Sequence, residues 1–430
     1  MRIILTLAFI TTFSLTVFAQ DNQTQQDITQ LFPQWGKLPK GKYFVGYKDT
    51  VIFKSDENFS YFNYNAYKPV FISVWYPAVD NKNIKFMKFK NYISVYEQKS
   101  YKQLSDSLIT IFKHILIEDG ICVDIKNRED VPFNDTLQKL YNDILETNVY
   151  AKANLIAIKG KFPCIVYHHG AQSAPYDNNV FCEYMASNGF IIVSANYNLP
   201  NKGRSKSLTT STDSDFDNLT DMQFVLDQTK IMQNIDTTNM TAVGHSWGAQ
   251  TLIRYDNTNL SKPFKKIVSL HTTIEDKPLS LAKEFWPEFD YMYKNEAKNS
   301  TTPVLFFAPI QLATLIDTDT ITGKETYIGT DTLKPKFIPF KCNKTTPYTF
   351  ITIKQNVTHD GFISLGNWRF PYCRKYNLTD CGEIITQQYY YEQIITLTQE
   401  IIKSNSEKLI VPKDIINNSN INVEFFNQRQ

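Results

Sequence analysis

Met240-Thr241-Ala242-Val243-Gly244-His245-Ser246-Trp247-Gly248-Ala249-Gln250-Thr251-Leu252 is the stretch that decides how this chain is read. Residues 240–243 form a short apolar run without alternation, the mark of a strand buried on both faces. The run ends in Gly-x-Ser-x-Gly and passes without a break into a helical pattern. A serine on so tight a strand-to-helix turn stands clear of the sheet. The glycines on either side let the two backbones approach without side-chain collision. Glycine is scarce here, 15 in 430 residues. With serine at roughly 7%, a random chain would hold the pattern about four times in a hundred.

Working outward, similar runs recur at 164–167, 191–194, 267–270, 304–307 and 349–353. Helical patterns separate or follow them at 178–187, 217–233, 250–255, 283–294 and 384–403. Strand and helix in alternation imply an α/β domain with a mostly parallel, doubly wound sheet and right-handed crossovers. Upstream, residues 43–53 and 69–76 alternate, with Val70, Ile72 and Val74 on one face, and read as antiparallel strands at a sheet edge. Between about 85 and 158 the apolar spacing turns helical (Leu104, Leu108, Ile111, Ile115, then Leu137, Leu140, Ile144), which reads as a helical insertion over the domain. A single domain over 20–403 with a polar, mobile tail over 404–430 is the economical division.

A serine hydroxyl needs a base, expected on a loop after a later strand. Of six histidines, His245 and His271 lie too near the serine strand or the next strand end, His114 precedes the sheet, and His168 and His169 belong to the first parallel strand. His359, in Val357-Thr358-His359-Asp360-Gly361-Phe362, is left as the base. The oxyanion of an acyl transfer needs two backbone N–H donors. Trp247, next after the serine, supplies one. The loop His168-His169-Gly170-Ala171 supplies the other from Ala171, with Gly170 permitting the bend. A metal role for His168 and His169 is set aside, because no acidic or cysteine partner falls at ligand spacing.

The segments 167–171, 178–194, 244–248 and 358–362 together resemble the α/β-hydrolase superfamily, most closely its platelet-activating-factor acetylhydrolase and dienelactone-hydrolase-like branch. Residues 41–46 and 69–78 resemble that branch's first strands. The resemblance spans roughly 41–368, insertions excepted. It implies a serine ester hydrolase with Ser246 as nucleophile, His359 as base, and Ala171 and Trp247 as oxyanion donors. The departure is at the acid. That branch carries aspartate after the strand that follows the nucleophile helix, whereas here 266–270 runs into His271-Thr272-Thr273, and a histidine is not expected to orient another as a carboxylate does. Glu275 is the acid assigned from sequence. Asp317 (or Asp319) and Asp276 are the alternatives, and a dyad with no acid is the last.

Composition closes off other classes. Forty-five Lys and Arg against 43 Asp and Glu leave a net charge of +2, too little for the basic footprint of a nucleic-acid binder. There is no GxGxxG, P-loop, zinc spacing or heptad run, so no cofactor is expected. Residues 1–19 have a positive start, an apolar centre and the small-residue exit of a secretory signal peptide. The expectation is a secreted or periplasmic protein with no transmembrane segment after cleavage. Among the six cysteines, Cys373 and Cys381 flank a polar loop and are the expected bridge, while Cys164 and Cys182 read as buried hydrophobes. The expected substrate is a small-molecule ester or lipid. A peptidase or amidase of the same fold, or an inactive binding protein built on it, are the competing readings. Trp368, Phe370, Tyr372 and Tyr376 either line a substrate pocket or cover the core.

Overall fold

The apolar runs assemble into the centre of one sheet. In the computed structural model, which describes residues 30–61, 64–94, 101–117, 134–171, 173–197, 218–258, 261–275, 277, 300–318, 325–341, 345–404 and 409–427, ten strands are hydrogen-bonded in the order β12-β11-β8-β7-β6-β4-β5-β2-β1-β3. These are β1 (Phe44–Tyr61), β2 (Tyr64–Ala78), β3 (Ala151–Ala153), β4 (Phe162–His168), β5 (Ile191–Ala195), β6 (Ile235–His245), β7 (Lys266–Leu270), β8 (Val304–Pro309), β11 (Tyr348–Ile353) and β12 (Ile421–Phe426). A separate hairpin pairs β9 (Gln311–Thr318) with β10 (Glu325–Leu333). The six strands from β5 to β11 run parallel. The sheet carries helices on both faces and is the mostly parallel α/β arrangement expected, with β1 and β2 as the antiparallel entry.

The parallel strands lack polar alternation because both of their faces are covered. Ile165, Tyr167, Val243, Val268, Leu270, Leu305, Phe307, Ile351 and Ile353 join one core. Their strand neighbours Cys164, Val166, Ala242, Ile267, Phe306 and Phe350 join the core on the other side. The first core is closed by α3 (Asn179–Ser187) and α6 (Cys381–Lys403), the second by α4 (Asn218–Lys230) and α5 (Trp247–Thr258). From the insertion come α1 (Lys102–Ile115) and α2 (Asp135–Glu146). Asn134 caps α2 by accepting from the N–H groups of Thr136 and Leu137, and Leu140 and Ile144 on its inner face are fully buried.

Two buried charged groups hold the outer pieces to this frame. Glu183 on α3 accepts from Trp35 Nε1 (2.9 Å), the Tyr150 N–H (2.8 Å), Tyr92 Oη (2.7 Å) and Asn179 Nδ2 (3.1 Å). One carboxylate thereby anchors the N-terminal segment, the insertion and its own helix. Lys266 Nζ, on β7, donates to the carbonyls of Ile401 (2.9 Å) and Ser404 (2.6 Å). There it meets the carbonyls that the end of α6 leaves without helical donors.

Several segments differ from their reading in sequence. Residues 404–430 are not simply a tail, since β12 pairs antiparallel with β11 from Tyr348↔Phe426 to Ile353↔Ile421. Its three apolar alternations, Ile421, Val423 and Phe425, are too brief to stand out in an Asn-rich stretch. The insertion is not helical to its end, because β3 pairs parallel with β1. The stretch after β8, unassigned in the sequence, holds the β9–β10 hairpin. Residues 1–19, the helix expected at 283–294, Cys122 and Cys342 lie outside the described residues. Cys373 and Cys381 form the expected disulfide, and Cys164 and Cys182 are buried free thiols.

Candidate active site

Chain order and sheet order part company between β4 and β6. From β4 the chain moves to β5 on one side, then returns to β6 on the other. At such a reversal the loops leaving neighbouring strands diverge and open a crevice at the carboxyl edge, where ligands of open α/β sheets bind. The two segments that flank this crevice are those singled out in the sequence, residues 168–171 after β4 and Ser246 after β6.

Ser246 has φ +52°, a left-handed backbone that costs a non-glycine residue energy and is kept where surrounding structure enforces it. The enforcement is visible. The Ser246 N–H donates to the Leu270 carbonyl (3.2 Å), and its own carbonyl accepts from Ala249 and Gln250 (3.0 and 3.2 Å) to start α5. The two motif glycines are needed for space. A Cβ at Gly244 would lie 2.6 Å from the Ala249 nitrogen, and one at Gly248 would lie 2.3 and 2.4 Å from the carbonyl oxygens of His168 and His169. Gly170 passes beside Ser246, since a Cβ there would lie 3.3 Å from Ser246 Cβ and 3.1 Å from His245 Nδ1. Ala171 follows directly in this turn. Trp247 opens α5, in the first turn of that helix.

The loop after β4 is fixed by Asp177, whose buried carboxylate accepts from Tyr167 Oη (2.6 Å) and Ser173 Oγ (2.8 Å). Burial pushes this carboxyl up to about 7, against the pull of those hydrogen bonds. The Asp177 carbonyl accepts from Ser364 Oγ (2.9 Å) and the Leu365 N–H (2.8 Å). The loop after β4 and the loop that carries His359 are therefore one braced unit, a connection with no signal in the sequence because its members lie far apart along the chain.

His359 opens a 3-10 turn, His359–Phe362, after β11. It is half-buried and stacks on His245, the neighbour of Ser246, with ring centroids 4.4 Å apart. The His359 carbonyl accepts from His245 Nε2 (3.0 Å), so His245 carries its proton on Nε2 and ties the turn at Ser246 to the His359 loop. His359 Nδ1 lies 2.9 Å from His271 Nδ1. Burial lowers His359 to about 4. His245 falls to about 3 and His271 well below the usual imidazole range, burial leading in each case with the neighbouring rings adding to it. Five of the six histidines in the chain thus gather at the carboxyl edge of the sheet, at residues 168, 169, 245, 271 and 359.

The acid assigned from sequence is not at His359 Nδ1. Glu275 Oε1 instead accepts from the Thr272 N–H (2.5 Å), and the Glu275 carbonyl accepts from Lys336 and Phe337, which folds the turn after β7 back on itself. The carboxylate is spent on the backbone of the very turn that presents His271. Asp317 lies in β9, paired with Thr326 of the hairpin, well past the end of β8. Asp276 and Asp319 are outside the described residues. The position that resemblance assigns to an acid is taken by the histidine that the sequence places there.

His168 and His169 brace backbone. Their Nδ1 atoms meet the carbonyls of His169 (2.8 Å) and Gly170 (2.7 Å), and the His168 ring stacks on Tyr197 at 3.8 Å. His245, His359 and Asp360 each bring one possible ligand atom within 4.8 Å of the others. Of the aromatic residues after the His359 loop, Trp368, Tyr372 and Tyr376 cover the core. Trp368 is 1% exposed and packs edge-on against Phe89 at 4.3 Å, while Tyr376 Oη donates to Asp143 of α2 (2.7 Å).

No family model matches the chain, and no curated protein matches it. Among solved structures it is similar to a ferulic acid esterase from Streptomyces cinnamoneus, with 13% identity, 89% of this chain and 96% of that chain covered, and a TM-score of 0.51. A Pyrococcus horikoshii acylaminoacyl peptidase matches at 19% identity over 35% of this chain and 28% of that one, with a TM-score of 0.26. At such identities the likeness speaks of architecture. The strand order, the turn at Ser246 and the near-complete overlap with the esterase place this chain in the α/β-hydrolase fold.

Proposed function

We propose that this protein is a serine hydrolase that cleaves a carboxylic ester through an acyl-enzyme on Ser246. The observation that carries the reading is Ser246 held at φ +52° between β6 and α5, with His359 stacked on the residue before it. Ser246 Oγ attacks the acyl carbon as His359 takes the hydroxyl proton. The N–H groups of Trp247 and Ala171 are the donors assigned to the resulting oxyanion, at the positive end of α5. The ester C–O bond breaks and His359 returns the proton to the departing alkoxide. Water then attacks the acyl group as His359 takes its proton, the bond to Oγ breaks as His359 returns that proton to Oγ, and the acid leaves. The resemblance at residues 167–171 and 358–362 to an ester-cleaving branch of the superfamily favours a small-molecule or lipid ester over a peptide. Residues 1–19 direct the chain to the periplasm or the medium. Among the described residues no helix is long and apolar enough to cross a membrane.

The test uses residues 20–430 with short-chain p-nitrophenyl esters, a peptide p-nitroanilide and a fluorophosphonate probe. Ester turnover with the label on Ser246 is the expected result. Cleavage of the anilide alone would make the enzyme a peptidase. Neither turnover nor label would make the chain a binding protein on this fold.

The pH profile follows from the site. A base is lost when it is protonated, and burial holds His359 at about 4. The acid limb of kcat/KM is therefore expected near pH 4, below the usual imidazole value of about 6.5. Initial rates between pH 3.5 and 8 measure it.

A further inference from the structure

We propose that His271 replaces the orienting carboxylate of the serine triad, holding the base through its Nδ1 so that the hydrolase runs on a Ser246, His359, His271 relay. The proposal rests on the serine-hydrolase reading and names the third member of its site. The two rings come from residues 88 apart in sequence and meet Nδ1 to Nδ1 at 2.9 Å. That distance is a hydrogen bond only if one nitrogen carries a proton and the other a lone pair. For His359 to take the proton of Ser246, its Nε2 must be bare, so its own proton sits on Nδ1 and points at His271. His271 then presents a bare Nδ1 and carries its proton on Nε2. A single proton between the rings fixes both tautomers, the orienting task a carboxylate performs in other triads.

The setting of His271 fits a part held in place for a purpose. Its backbone lies at φ +53°, a strained conformation for a residue with a side chain. The His271 N–H donates to the Phe307 carbonyl (3.0 Å). The next residue is clamped twice, its N–H by Glu275 Oε1 and its carbonyl by Gln250 Nε2 (2.7 Å). Gln250 belongs to α5, the helix that begins just after Ser246, so one helix steadies both the nucleophile and the turn that carries His271. The residue is 2% exposed, and its ring lies beside Phe362 with centroids 5.4 Å apart.

A histidine in this place differs from a carboxylate in charge. When His359 becomes an imidazolium, a neutral ring can accept its hydrogen bond but offers no opposite charge. The titratable groups around the pair are His245, stacked on His359, Asp360 on the same turn, and Lys277, whose charge also disfavours protonation of His271. The chain thus keeps the geometry of a triad and gives up its electrostatic component. In exchange the base stays unprotonated further into acid.

The variants His271→Ala, His271→Asn and His271→Asp separate geometry from charge. His271→Ala is expected to lower kcat by about 10² to 10⁴-fold with little change in KM, by analogy with loss of the orienting group in serine proteases. His271→Asn keeps an acceptor for the His359 proton and should recover part of that loss with the acid limb unmoved. His271→Asp should move the acid limb of kcat/KM upward by one unit or more, because a carboxylate favours the imidazolium. Wild-type kcat in His271→Ala, or an unmoved limb in a folded His271→Asp, overturns the proposal. Nitrogen NMR of the histidine rings in the unaltered protein is independent of turnover. His359 protonated on Nδ1 and His271 on Nε2 is expected, and the opposite pair of tautomers rules the relay out. An intact pairing in a protein that neither hydrolyses esters nor reacts with the fluorophosphonate would overturn the hydrolase reading and leave the contact a structural one.

Discussion

Replacement of Ser246 by alanine should leave the fold unchanged and lower ester turnover by about 10⁶-fold, the scale seen when a serine hydrolase loses its nucleophile. The fold survives because the turn is held by main-chain bonds. The Ser246 N–H to Leu270 and its carbonyl to Ala249 and Gln250 involve no hydroxyl. Alanine also keeps the Cβ that the serine already tolerates at φ +52°, so no new strain is added. Hence the melting temperature should move little while the fluorophosphonate label disappears. His359→Ala should cost a similar factor, and the double variant no more than either alone, because a nucleophile without its base and a base without its nucleophile are equally idle. Additive losses in the double variant would show that the two residues do not work as a unit.

Gly248→Ala is expected to damage both stability and catalysis. The added methyl would lie 2.3 Å from the His168 carbonyl oxygen, 2.4 Å from that of His169 and 2.7 Å from His168 Nδ1. None of these is the free end of a flexible chain. The two oxygens are backbone at the end of β4, and His168 is pinned by its stack on Tyr197. To restore ordinary contact at 3.4 Å the strand end or the start of α5 must retreat by about 1 Å. Overpacking of this kind costs about 1–3 kcal/mol. The segment that retreats leads to Gly170 and Ala171, and a displacement of that size in a catalytic group costs about 10²-fold in rate. The control is Gly382→Ala in the first turn of α6, where nothing lies within 4 Å. There the substitution should be neutral or slightly stabilising, as expected for alanine in a helix. Thermal melts and kcat measured on both variants check the pair. Equal effects at the two positions would mean that close approach at Gly248 does not matter.

Much of this architecture is written locally. A strand covered on both faces has no room for alternation, so β4 to β8 and β11 announce themselves as apolar runs, and the turn at Ser246 needs glycines whose spacing is itself the signal. What stays hidden is whatever depends on meetings across the chain. β3 is three residues long and exists because β1 offers it an edge. β12 has only Ile421, Val423 and Phe425 to mark it. The partner of His359 could not be read at all. The sequence shows a histidine where an aspartate is expected and acids a few residues on, and only the folding of Glu275 onto the Thr272 N–H decides which of them faces His359. Asp177 is equally silent, because its value lies in tying the loop after β4 to Ser364 and Leu365.

The pairing of β12 with β11 bears on how the molecule is made. Synthesis runs from the amino end, and the strand that closes this side of the sheet is the last to emerge. Until it arrives, the outer edge of Tyr348-Thr349-Phe350-Ile351-Thr352-Ile353 offers unpaired N–H and C=O groups along a hydrophobic, uncharged strand, the kind of edge to which other chains add. A chain stopped or clipped after α6 would keep every residue of the proposed relay and still carry that adhesive edge. β12 thus covers an edge that other chains could otherwise join.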